Sequence, residues 1–134
     1  MGIIGRLFKP VEEPKTVWAV LCWWELRRIP YNVLLVCVGL PCYLLLLLIA
    51  GAPGLIEPGE DIVEPMIIIV APVLFNIAYT FGWLAEIFLV LAWRDRSVLV
   101  GPILFKLGVS FTVICIALPT GLWGLAAMAW LING

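Results

Sequence analysis

The stretch MIIIVAPVLFNIAYTFGWLAEIFLVLAW, from Met66 to Trp93, decides what kind of protein this is. It is longer than the roughly 20 residues that a hydrocarbon core of about 30 Å demands, and Glu86 is its one charged residue. Two further stretches of the same kind flank it, Ile29 to Ile56 and Val98 to Ile132. Soluble domains carry about 45–50% apolar and about 25% charged residues. The 134-residue chain has 64% and 13% respectively, with a mean hydropathy of +1.15, which places it among polytopic membrane proteins.

The expected architecture is an all-α integral membrane protein of one domain, with three transmembrane helices at 29–56, 66–93 and 98–132. An N-terminal tail, 1–15, leads into a short amphipathic helix, 16–28, on the cytoplasmic face. That segment, KTVWAVLCWWELRR with its surroundings, has too few consecutive apolar residues before Glu25 to cross a bilayer, and its tryptophans and flanking Lys15, Arg27 and Arg28 suit an interface. Pro30, Pro65 and Pro102 stand near the starts of spans, where a missing N–H costs nothing. Pro41, Pro72 and Pro119 lie within spans and are expected to loosen them. A break of the third span at Pro119 into two crossings leaves each half too short.

Orientation follows from the basic residues. Arg6, Lys9, Lys15, Arg27 and Arg28 precede the first span, Arg94 and Arg96 lie in the turn 94–97, and Lys106 lies just inside the third span. The loop 57–65 holds only acids, Glu57, Glu60, Asp61 and Glu64. With three crossings all 8 basic residues fall on one side, giving an N-in, C-out arrangement expected for a bacterial inner membrane. Trp23, Trp24, Tyr31 and Trp93 then form an inner aromatic belt, with Trp130 at the outer face.

Chemistry is sparse. The chain has no histidine, and its four cysteines, Cys22, Cys37, Cys42 and Cys115, show no C-x-x-C spacing, so neither a metal nor another cofactor is expected. No nucleophile motif or phosphate loop occurs, and the basic residues are few and sit at the membrane boundary, so neither an enzyme nor a nucleic-acid partner is expected.

The polar residues of the middle span form the candidate site. At 100° per residue Asn76, Tyr79, Thr80, Trp83 and Glu86 project within an arc of about 120°. Such a stripe turns away from lipid and either packs against the chain's other helices or lines a path between subunits. Glu86 and Lys106 flank the 94–97 turn symmetrically, so the hairpin sets them at one depth, and Lys106 is the expected ion-pair partner of Glu86. If that pair marks the inner edge of the hydrocarbon, the apolar segments on its cytoplasmic side need cover, and the tryptophan-rich 16–28 segment is placed to give it as a collar. The outer acids are read as the mouth of a pore, or as a solvated turn with Glu64 at a helix start.

Three helices enclose too little space for a midplane cavity, and no internal repeat is present. The sequence is therefore read as one wall of a homo-oligomer of about three to five subunits, an ion-conducting pore or membrane-disrupting effector lined by the polar stripe. The alternative is an accessory or assembly subunit of a larger membrane complex that conducts nothing. Beyond such partners, the lipid bilayer is the expected surroundings.

Overall fold

A computed structural model describes residues 9–11, 16–52, 66–93 and 100–133. The outer acids Glu57, Glu60, Asp61 and Glu64, the basic residues Arg6, Lys15, Arg94 and Arg96, and the 94–97 turn lie outside the described residues.

Among the described residues there are three helices: α1 over Val17–Ala50, α2 over Ile67–Ala92 and α3 over Val100–Asn133. Each is long and apolar enough to cross a membrane, as befits a small membrane protein. α2 matches the span expected at 66–93 almost to the residue, and α3 runs unbroken through Pro119. α1 differs from expectation. The interfacial segment 16–28 and the first span were expected as separate elements, and the structure joins them in one helix of 34 residues with Pro30 and Pro41 in its interior. Thr16 sets the start, its Oγ1 accepting from the Ala19 N–H at 3.1 Å, and Gly51 ends it with its N–H directed to the Leu47 carbonyl. Pro30 therefore does not open a helix.

At about 1.5 Å per residue α1 and α3, each 34 residues, are about 51 Å long, well beyond a hydrocarbon core of about 30 Å. The surplus of α1 explains why the proline is accommodated. Its first turns carry Val20, Trp23 and Trp24, which are buried against Tyr79 and Val90 of α2 and Phe105 of α3. Burying side chains of this size stabilises by about 1.5–3 kcal/mol each, enough to offset the roughly 3 kcal/mol of an interior proline.

The contacts set the directions of the helices. Trp24 meets Glu86, Arg28 meets Thr80 and Asn32 meets Asn76, so α2 runs antiparallel to α1. Trp23 packs on Phe105 and Tyr31 bonds Thr112, so α3 runs parallel to α1. The main core gathers at the end of the bundle holding the α1 N-terminus, where Trp23, Trp24, Tyr31, Tyr79 and Phe105 stack edge-on or tilted with ring centroids 4.8–6.3 Å apart. Away from it the helices present large apolar side chains outward, as a lipid-facing surface does; Leu48 and Ile132 are examples.

Candidate functional site

Glu86 lies where all three helices meet. Its side chain is 0% exposed, and its Oε2 accepts a hydrogen bond from the Trp24 indole Nε1 at 2.6 Å. Two glycines allow this. A Cβ on Gly101 of α3 would come within 2.7 Å of Oε1 and closer still to Oε2, so only a residue without a side chain lets the carboxylate rest on that helix. A Cβ on Gly82 of α2 would fall 2.9 Å from Cη2 of Trp24, so the indole lies directly against the α2 backbone. A buried carboxylate needs hydrogen-bond donors, and Trp24 supplies one from the helix that closes the site.

The rest of the stripe turns the same way. The Tyr79 hydroxyl donates to the Trp24 carbonyl at 2.5 Å, and its ring sits 5.1 Å from the Trp24 ring. Tyr31 continues the cluster from α1, its hydroxyl 3.0 Å from Thr112 Oγ1 on α3 and donating to the Phe75 carbonyl on α2 at 3.3 Å. Trp83 is half-buried against the core. Its Nε1 and the Nε of Arg28 are buried N–H groups with no acceptor among the described residues.

Further along the α1–α2 seam the polar groups are half-buried. Asn76 and Asn32 form a reciprocal amide pair: Asn76 Nδ2 donates to Asn32 Oδ1 at 2.7 Å, and Asn32 Nδ2 to Asn76 Oδ1 at 3.2 Å. Each amide also donates to its own helix, to Pro72 O and Arg28 O respectively. Arg28 Nη2 donates to Thr80 Oγ1 at 3.1 Å, and Arg28 Nη1 pairs with Glu25 at 3.2 Å.

At the N-terminal end of α1, Trp23 Nε1 donates to the Lys9 carbonyl at 2.7 Å. The Arg27 guanidinium lies 3.7 Å from the Trp23 ring centroid and donates to the Trp23 and Lys9 carbonyls. Lys106, the expected partner of Glu86, follows the buried Phe105 and has an exposed side chain. On α1 the carboxylate bonds Trp24.

Four of the five stripe residues, Asn76, Tyr79, Thr80 and Glu86, thus hydrogen-bond to α1 of the same chain. Sequence reasoning missed the receiving side: Trp24, Arg28 and Asn32. Asn32 had a signal, a lone amide in an apolar run. Trp24 had none, because an indole N–H looks like ordinary membrane-helix composition.

Set beside known proteins, the chain matches no family model, no curated protein and no solved structure. Function must be argued from the seam and the surfaces around it.

Proposed function

We propose that the protein is an accessory or assembly subunit of a membrane complex, a helical clamp that conducts nothing itself. One observation carries this reading: the polar residues best suited to line a path are bonded inside the chain, Asn76 to Asn32, Tyr79 and Glu86 to Trp24, and Thr80 to Arg28. A residue whose donors and acceptors are matched within its own bundle is a structural element. Trp24, Tyr31, Tyr79 and Phe105 fill the space between the helices, so a single chain has no room for a solvated path at that level.

What remains for function is the outer surface. On the first turns of α1, Trp18, Cys22, Leu26 and Ile29 are exposed at spacings of four, four and three residues, one ridge of the helix, with Trp18 74% exposed. This ridge lies at the end of the bundle that holds Arg27, Arg28 and Lys106, the end assigned to the cytoplasmic boundary by the positive-inside rule. An apolar ridge beside a charged boundary suits another membrane protein.

A second reading, the homo-oligomeric pore, is favoured by Arg28, Asn76 and Thr80 together lining an open hollow on the seam. Copies meeting there would bring polar groups to a shared axis. Purified full-length protein in liposomes separates the two. The clamp predicts no ion flux and no closed ring in detergent. A discrete oligomer of about three to five subunits whose flux changes in Asn76→Leu would replace the clamp with the pore.

A further inference from the structure

We propose that one phospholipid with an ethanolamine head docks along α1 beside its seam with α2, its phosphate on Arg28 and its ammonium on Glu25. This goes beyond the clamp reading and does not depend on it. Two open hollows meet at Arg28. The larger, about 780 Å³, lies along the outward face of α1 alone, with Glu25, Arg28 and Asn32 at one end and Val33, Val36 and Cys37 along the rest. The smaller, about 400 Å³, has Arg28, Thr80 and Asn76 at one end and Ile77, Val73 and Pro72 beyond. Because α2 is antiparallel to α1, counting up from Glu25 and down from Thr80 runs in the same direction. Both hollows therefore pass from polar to apolar along one axis, sharing a single cation at their polar end.

That is the shape of a diacyl lipid: one head and two parallel chains. From Glu25 to Cys37 the α1 wall is about 18 Å long at about 1.5 Å per residue, against about 15 Å for one leaflet of a 30 Å core. The guanidinium is held in place before any ligand arrives, by Glu25 at 3.2 Å and Thr80 at 3.1 Å, and its fork suits a phosphate. Its side chain is 32% exposed and that of Glu25 49%, so the pair is accessible.

Charge selects the head. Arg28 and Glu25 together are neutral, which matches a zwitterion; an anionic head would bring its excess negative charge against Glu25. A primary ammonium can donate hydrogen bonds to the Glu25 carboxylate, and a trimethylammonium cannot. The site therefore favours phosphatidylethanolamine over both phosphatidylglycerol and phosphatidylcholine.

Native mass spectrometry of the full-length protein, given equal amounts of these three lipids with matched chains, tests this. The expected result is about tenfold more ethanolamine than choline lipid retained, the equivalent of one charge-assisted hydrogen bond. Glu25→Gln removes that preference and leaves choline-lipid retention unchanged. Arg28→Gln lowers retention of all three. Val36→Trp fills the larger hollow and displaces lipid with the polar cluster intact, so the test stands even if Arg28→Gln fails to fold. Preference for phosphatidylglycerol, equal retention of all three lipids, or undiminished retention by Val36→Trp would each overturn the proposal. So would a change in oligomeric state by Val36→Trp at constant lipid retention, which would make the occupant a second copy of this chain.

Discussion

Trp24 and Glu86 stand 62 positions apart in the sequence and meet through a 2.6 Å hydrogen bond between an indole N–H and a carboxylate with no exposed surface. That bond ties the first turns of α1 to the middle helix. Around it Gly82 and Gly101 bring backbone where side chains would normally be. The arrangement makes the N-terminal collar and the membrane bundle one body.

Gly101 is the most sensitive position in that arrangement. A methyl there points at the Glu86 carboxylate, which has bonded neighbours and little freedom to retreat. Gly101→Ala is expected to destabilise by about 1–3 kcal/mol, as overpacking does. Gly108, on the same helix with nothing within 4 Å of a built Cβ, is the control. Gly108→Ala is expected to be neutral or to stabilise by up to about 1 kcal/mol. Thermal melts of both variants in one detergent check this, and equal midpoints would mean that the carboxylate does not rest on α3.

The indole bond itself is measured by a double-mutant cycle. Trp24→Phe keeps most of the ring and removes the donor, at an expected cost of about 1–3 kcal/mol, because Glu86 stays buried. Glu86→Gln keeps an acceptor but loses the charge. If the two side chains interact as described, the double variant is less destabilised than the sum of the single ones by about 1 kcal/mol or more. Running Lys106→Gln through the same cycle tests the ion pair expected from the sequence: strict additivity with Glu86→Gln excludes it.

Tyr79 gives a narrower test of the collar. Its hydroxyl donates to the Trp24 carbonyl from within a ring of aromatic contacts. Tyr79→Phe preserves the rings and removes one hydrogen bond, so a loss of about 1 kcal/mol is expected with no change in tryptophan near-UV dichroism. A larger loss together with a changed spectrum would show that the hydroxyl positions the rings.

Much of this could be read in advance, for definite reasons. The bounds of α2 were legible because a long run with Glu86 as its one charge lies between Pro65 and Arg94, and the residues sharing the stripe were legible because helical rotation is fixed at about 100° per residue. The continuity of α1 was not, since Pro30 is a local signal for a boundary, and what overrides it is the burial of Val20, Trp23 and Trp24 against helices distant in sequence. The inward face of α3 was not legible, because hairpin symmetry bears on depth and not on azimuth. Phe105 takes an inward position on α3 together with Gly101 and Thr112.

The amide pair of Asn32 and Asn76 tests the seam as a whole. Each amide donates to the other and to a carbonyl of its own helix, so removing one leaves the other with an unmatched partner beside apolar side chains. Asn76→Leu and Asn32→Leu are each expected to cost about 0.6–2 kcal/mol, the range of interhelical hydrogen bonds in membrane proteins. Replacing both removes the mismatch, so Asn32→Leu with Asn76→Leu is expected to be at least as stable as either single variant. Unfolding in mixed micelles with rising denaturing detergent reads all three against the parent. Fully additive losses would mean that the two amides serve separate partners. In that case α1 and α2 would be held together by the aromatic cluster and the Trp24–Glu86, Tyr79–Trp24 and Arg28–Thr80 hydrogen bonds.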